Sequence, residues 1–182
     1  MSAYYYLVAS LPTLASGTPP ALTPERFRAL CSEHLAPADL AELDAVLAGA
    51  GRSAFARAWQ AADGQLRNAC ARLRAVRHEV EPDAFVKAVP GLDLSLARRA
   101  QDAMSAPDPR QRERQLDDVR RQVLSELAFD APFGLEAVLA YGLGLALAWR
   151  WESRSDAAGR EALTNQIEAL LARHAGRAPT EA

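Results

Sequence analysis

Residues 132–151 read PFGLEAVLAYGLGLALAWRW and are apolar on nearly every side of a helix. A helix with one apolar stripe lies at a surface, whereas a helix that is apolar all round must be enclosed by other helices or by lipid. At a rise of about 1.5 Å per residue the stretch would span about 30 Å, which suits either environment. Glu136, the glycines and the high alanine content disfavour lipid. We therefore predict a buried helix inside a bundle of other helices.

The overall composition excludes several classes of protein. The chain has 182 residues, 49% of them hydrophobic, and a net charge of -2. This length suits one domain with a sizeable core, and the charge offers no basic excess for nucleic acid. Cys31 and Cys70 form no CxxC pair, which favours buried thiols in a reducing compartment. The N-terminal segment lacks the basic region of a secretory signal, since the first arginine is Arg26. We expect a cytoplasmic protein.

Apolar residues recur at spacings of three and four along most of the remaining chain, which predicts helices. Helices are predicted over residues 24–34, 37–49, 94–104 and 110–128. The longest pattern follows Ser53, and its apolar positions are Phe55, Trp59, Ala62, Leu66, Cys70, Leu73, Val76 and Val80. The last helix has its apolar stripe at Leu163, Ile167, Leu170 and His174.

Residues 4–11 are the exception to this helical pattern. They are aromatic and β-branched, which is typical of a short strand or an extended segment laid over the core. The predicted fold class is therefore all-α: a multi-helix bundle with a buried C-terminal helix and a short N-terminal extended segment. We predict a single helical domain over residues 1–175 and a disordered tail over residues 176–182.

Two motifs are similar to known binding sites, one for a dinucleotide and one for a metal ion. Neither lies in the structural context that such a site requires. Residues 49–54 read GAGRSA and match the GxGxxA pattern of dinucleotide-binding proteins, but that motif requires a preceding strand. Here helices are predicted on both sides, so a helix–helix turn explains the glycines better, and a nucleotide-dependent enzyme is kept as an alternative. Cys31 and His34 share a helix face as half of a metal site without a second half. We expect no cofactor, no metal and no catalytic activity.

Charged residues on the predicted helices admit two interpretations. Residues 117–121 read DDVRR, a pattern typical of a solvated helix face. Arg150 and Arg154 end the apolar stretch, where cations complement the helix dipole. The alternative is that Arg150 is partly buried and pairs with a carboxylate of another helix or of a partner.

Four short strings carry a resemblance to known families. Residues 4–12, YYYLVASLP, resemble the start of a small bacterial protein family encoded beside V-type ATPase genes. The mid-chain pattern of that family is similar to Trp59 with Leu66-Arg67-Asn68, and to Asp108-Pro109 with Glu113, Leu116 and Asp117. The C-terminal signature of the C-type (in eukaryotes, d-type) stalk proteins of V/A-type ATPases resembles Phe133-Gly134, Val138-Leu139-Ala140-Tyr141 and Arg150.

The resemblance implies an all-helical, non-catalytic central-stalk component of a bacterial V/A-type ATPase. Such a component couples the ATP-driven rotor shaft to the ion-translocating membrane ring, and both would be its partners. It would lie in the cytoplasm, peripheral to the membrane through the complex and not inserted, with no nucleic acid partner. The alternative is a helical adaptor or regulatory interaction protein unrelated to ion transport.

Aromatic residues and arginine are enriched at the hot spots of protein interfaces. On that basis the candidate partner interface consists of Tyr5, Arg67, Asn68, Tyr141, Arg150 and Trp151. For Tyr141, as for Trp59, the alternative is an ordinary core position.

Overall fold

The computed structural model describes residues 4–152, 154 and 156–175. Every regular element within these residues is helical, which confirms the all-α fold class. The helices are α1 (Tyr5–Ser10), α2 (Pro24–His34), α3 (Pro37–Leu47), α4 (Ala54–His78), α5 (Leu94–Ser105), α6 (Pro109–Ala128), α7 (Leu135–Glu152) and α8 (Asp156–Ala175), with a 3₁₀ turn at Pro82–Ala84. The tail predicted over residues 176–182 lies outside the described residues.

The prediction of an extended segment over residues 4–11 is wrong, because α1 forms there. Strand propensity reflects the fit of a side chain to a pleated surface, and the described part of the chain contains no strand to pair with. A helical turn satisfies the backbone instead: the Val8 N–H donates to the Tyr4 carbonyl, and Leu7 is buried. The Tyr4 N–H donates to the Phe133 carbonyl at 3.2 Å, which joins this segment to the turn before α7.

Side-chain caps fix where four of the helices begin. The side chains of Thr23 and Ser53 accept from the backbone N–H three residues later, at 3.2 and 3.1 Å. Asp93 and Asp108 do the same for two N–H groups each at the starts of α5 and α6. Such caps satisfy backbone donors that have no partner inside the helix, so they determine the starting residue.

The long helix α4 ends before the predicted pattern does. Glu79 adopts the left-handed conformation, with φ 55°, and closes the helix after His78. Val76 is 79% exposed, and Val80 lies beyond the helix end and is exposed as well. The prediction that both valines face the core is wrong.

Two groups of buried side chains form the core. The first lies where α7 packs against α2, α3 and α6, and its fully buried members include Phe27, Leu43, Val138, Leu139 and Leu145. The second lies where α4, α5 and α6 meet, and it includes Leu66, Cys70, Leu96, Ala100, Leu116 and Val123. Trp59 and Leu127 pack against both groups and so connect them.

Helix α7 is enclosed by other helices, as predicted. Only Ala146 and Glu152 of its residues are exposed. Its glycines permit this enclosure, since a Cβ at Gly142 would lie 2.9 Å from the ring of Phe27 and 3.2 Å from Leu43. Among the residues that the structure describes, no helix has the length and apolar character needed to cross a membrane.

Helix α8 differs from the other long helices because its described side chains, residues 159–173, are all exposed. The four large apolar ones, Leu163, Ile167, Leu170 and Leu171, fall on one side of the helix by their spacing. The predicted stripe is therefore present at Leu163, Ile167 and Leu170, but the described residues of the bundle do not bury it. The side chain of His174, the fourth predicted position, lies outside the described side chains.

Candidate interaction site

A buried carboxylate lies where α6 meets the end of α7. Asp117, whose side chain is 4% exposed, follows Leu116 on the inward face of α6. It accepts hydrogen bonds from Arg150 Nη2 at 2.5 and 2.6 Å, from Trp151 Nε1 at 2.9 Å and from Arg120 Nη1 at 2.9 Å. Because a buried charge is costly unless it is paired and hydrogen-bonded, these donors account for its position.

The ion pairs continue from Asp117 to α4. Arg120 donates from Nε to Asp63 Oδ1 at 2.8 Å, and Asp63 also pairs with Arg67 at 2.7 Å. We call Asp63, Arg67, Asp117, Arg120 and Arg150 the Asp117 network. It connects α4, α6 and α7, and breaking a buried pair of this kind leaves an uncompensated charge.

Arg120 is the central cation of the network. Burial would lower the pKa of Arg120, but the hydrogen bonds and charges of Asp63 and Asp117 outweigh burial and raise it above its usual value. Arg120 therefore carries a positive charge at neutral pH.

Three of the six predicted interface residues come together here. Arg150 and Trp151 both bond to Asp117, and Arg67 lies at the opposite end of the network. The pairing of Arg150 with a carboxylate of another helix is thereby confirmed. The predicted solvated face at residues 117–121 is wrong for Asp117 and Arg120, although it holds for Asp118.

Asn68 performs a structural task. It is buried, and its Nδ2 donates to the Lys87 carbonyl at 2.8 Å while its Oδ1 accepts from the Lys87 N–H at 3.0 Å. This pairing holds the segment after the 3₁₀ turn against α4. Between that segment and α4 lies a cleft of about 460 Å³, whose lining includes Trp59, Asp63, Arg67 and Phe85.

The two predicted tyrosines hold the N-terminal segment in place. The half-exposed ring of Tyr5 packs on Phe133 with 4.8 Å between ring centroids. Tyr141 packs on Phe27 at 5.2 Å and donates from its hydroxyl to the Pro12 carbonyl at 3.0 Å. Burial raises the pKa of Tyr141, so its hydroxyl stays a donor at neutral pH.

The glycine motif at residues 49–54 forms a helix–helix turn, which is the interpretation favoured by the sequence. Gly49 has φ 76°, and a Cβ at Gly51 would lie 2.4 Å from Val46. Glu42 of α3 accepts from the N–H groups of Arg52 at 2.9 Å and Ser53 at 2.8 Å. A carboxylate thus already occupies the start of α4, where a dinucleotide phosphate would bind. The pKa of Glu42 is lowered, and the hydrogen bond from the Ser53 N–H is the largest cause.

The cysteine–histidine pair on α2 does not converge with other ligands. Within the described residues there is no group of three or more His, Cys, Asp or Glu side chains arranged to hold a metal ion. Cys31 is fully buried while His34 is exposed. Burial raises the pKa of the Cys31 thiol to about 11, so it stays protonated at neutral pH.

Asp63, Asp117 and Arg120 are the site residues that sequence reasoning missed. Their positions in the sequence could have indicated burial, because Asp117 and Arg120 are three residues apart and adjoin the apolar stripe of α6. Among known proteins, no family model, curated sequence or solved structure matches this chain significantly.

Proposed function

We propose that this protein is a non-catalytic, C/d-type component of the central stalk of a bacterial V/A-type ATPase. In this role it couples the ATP-driven rotor shaft to the ion-translocating membrane ring. The proposal rests on the resemblance of four strings that are far apart in the chain. It is supported by one observation, which is that these strings contact one another in the folded protein.

The first and last strings are joined in two places. The Tyr4 N–H donates to the Phe133 carbonyl, and the Tyr141 hydroxyl donates to the Pro12 carbonyl. The second mid-chain string meets the last one through Arg150, which pairs with Asp117 and lies 4.0 Å from Glu113. The first mid-chain string adjoins the second inside the core, where Leu66 and Leu116 belong to one buried group. The residues that carry the resemblance therefore form one connected framework.

Such a framework suits the transmission of torque. A rotor component must resist deformation, and close-packed interiors transmit strain. The Asp117 network adds ionic contacts between α4, α6 and α7 at the point where the apolar part of α7 ends. The bundle would act as a stiff spacer, and its chemistry would be confined to partner binding.

Helix α8 offers a surface for that binding. Leu163, Ile167 and Leu171 are exposed on one side, and contiguous exposed apolar side chains mark interaction surfaces. We assign this side of α8 to contact with another component of the ATPase. The same feature would serve an adaptor unrelated to ion transport, so the experiment must distinguish the two functions.

The first experiment removes the protein from cells that encode it and measures two activities in inverted membrane vesicles. The proposal predicts that ATP hydrolysis by the V/A-type ATPase persists while ATP-driven ion transport is lost, because the motor turns without driving the ring. Restoring the full chain should restore transport. Unchanged transport in the vesicles would refute the proposal and leave the adaptor function.

The second experiment tests the surface with matched variants of α8. The double substitution Leu163→Gln with Ile167→Gln should abolish co-purification with the other ATPase components. The control, Ala162→Gln with Ala169→Gln, places the same side chains on α8 outside this apolar side and should retain co-purification. Equal retention by both variants would show that this side of α8 does not bind the complex.

A further inference from the structure

A small polar notch lies beside the Asp117 network, bounded by α6, the end of α7 and the loop before α2. Its volume is about 100 Å³. We define this arginine notch by six lining residues: Ser16, Thr18, Arg110, Arg114, Arg121 and Trp151. Gly17, with φ 75°, makes the turn that brings the two hydroxyl residues to the notch.

The guanidinium groups of the notch are incompletely neutralised. Arg110 and Arg114 have no carboxylate oxygen of the described residues within 4.0 Å. Arg114 instead lies over the Trp151 ring, 5.4 Å from its centroid, and Arg154 lies 5.0 Å from the same centroid. Cations gathered on one indole repel each other, and a bound anion would relieve that repulsion.

The acidic residues around the notch do not neutralise its positive charge. Asp117 lines it but is already bonded to Arg120 and Arg150. Asp118 is engaged with Arg121, which also donates to the Ser16 hydroxyl at 2.7 Å. Glu152 is the other acidic lining residue, and Arg110 and Arg114 outnumber it.

The donors and the size of the notch specify the class of anion. Guanidinium forks match the oxygens of phosphate, and the Thr18 hydroxyl can supply a further donor to a tetrahedral anion. Because one water molecule needs only about 10–15 Å³ of such space, the notch has room for a group the size of several waters. That space accepts a phosphate group, and a substituent on the phosphate would extend out of the notch.

We propose that the arginine notch binds a phosphate group, carried either by inorganic phosphate or by a phosphate monoester. Arg110 and Arg114 would contact its oxygens, and Trp151 would hold Arg114 in place from the side. This site is independent of the proposed role in the ATPase, because it is built entirely from residues of this chain.

The test is calorimetric titration of the full chain at neutral pH and constant ionic strength. Inorganic phosphate and glycerol phosphate are titrated in separate arms, with chloride as the reference anion. We expect one saturable site for phosphate and none for chloride. Equal affinity in the two phosphate arms identifies the free anion as a sufficient ligand, whereas clearly tighter binding of the monoester identifies the ester.

Variants locate the binding site. Arg114→Gln should weaken phosphate binding by about tenfold or more, since it removes a charge-assisted pair. Arg98→Gln, an exposed position on α5 outside the notch, removes the same charge and should leave affinity unchanged. Arg114 is exposed, so its variant should fold, and circular dichroism verifies that. Phosphate heats equal to those of chloride, or equal weakening by both variants, would overturn the proposal.

Discussion

Among single residues, Asp117 decides how α6 meets the end of α7. Its carboxylate accepts from two arginines and an indole, and each of these donors would lose this bond if Asp117 were removed. Its neighbour Asp118 has the same chemistry but points to the surface, where it contacts Ser16 and Arg121. One step along the helix thus separates a buried pair from an exposed one.

These neighbours supply a matched pair of substitutions. Asp117→Ala should lower the free energy of unfolding by about 3 kcal/mol, because it removes the buried anion that Arg120, Arg150 and the Trp151 indole share and leaves Arg120 with Asp63 alone. Asp118→Ala should change it by less than about 1 kcal/mol, since exposed ion pairs contribute little. Urea denaturation of both variants measures the difference, and similar losses would mean that Asp117 is not the centre of the network.

The sequence places Asp117 and Asp118 in one charged run and does not distinguish them. Which of two adjacent carboxylates faces inward depends on the rotation of α6 about its axis. That rotation is set by the packing of Leu116, Val119 and Val123 against α4 and α5. The sequence anticipates an inward position for Arg150 as one of two interpretations, whereas its partner could not be identified without the other helix.

Among the helices, α7 depends on glycine to approach its neighbours. Gly142 is buried against the Phe27 ring and Leu43, so the contact between α7 and helices α2 and α3 depends on a missing Cβ. At Gly144 the nearest atom to an added Cβ is the flexible end of Leu14, at 3.3 Å. The two glycines lie in one helix but face different surroundings.

This difference predicts opposite effects for the same substitution. Alanine improves the intrinsic helix propensity by about 1 kcal/mol at either position. At Gly142 the methyl group overlaps a fully buried ring, and overpacking costs about 1–3 kcal/mol, so Gly142→Ala should be destabilising. Gly144→Ala should be neutral or stabilising. Thermal and urea unfolding compare the two variants; a more stable Gly142→Ala protein would show that the Phe27 ring moves freely.

The starts of helices are the features that local sequence predicts best. Helices α2 and α4 begin where the sequence predicts, directly after Thr23 and Ser53, because the cap that each of these side chains forms involves only residues within one turn. The extended conformation predicted for α1 is wrong because tyrosine and valine favour strands only where a sheet is present. Its conformation depends on contacts with Phe133 and the core, and Phe133 lies more than a hundred residues away in the chain.

At the scale of the whole molecule, the side chains of the core are buried, whereas the described side chains of α8 are exposed. The two core groups draw their buried residues from α1 to α7 and the short connections between them, and they share Trp59 and Leu127. The described side chains of α8 contribute none to either group. That residues 1–175 form a single domain stays a prediction.

Ending the chain after Glu152 tests this separation. Because stability comes mainly from buried apolar area, the shortened chain should keep the unfolding free energy of the full chain within about 0.5 kcal/mol. Urea denaturation, monitored by tryptophan fluorescence and by circular dichroism, measures the free energy of unfolding of the shortened chain, with the full chain as the control. A loss of several kcal/mol would show that α8 packs on the bundle in solution.

Local sequence is enough to establish the helical class, the caps and the enclosure of α7, because periodicity, capping side chains and uniform apolarity are properties of neighbouring residues. The packing of distant segments was needed to establish the partner of Arg150, the helical state of α1, the inward side of residues 117–121 and the exposure of α8. Each of these depends on which surface another part of the chain presents. The spacing of residues within one segment does not indicate which distant segment packs against it.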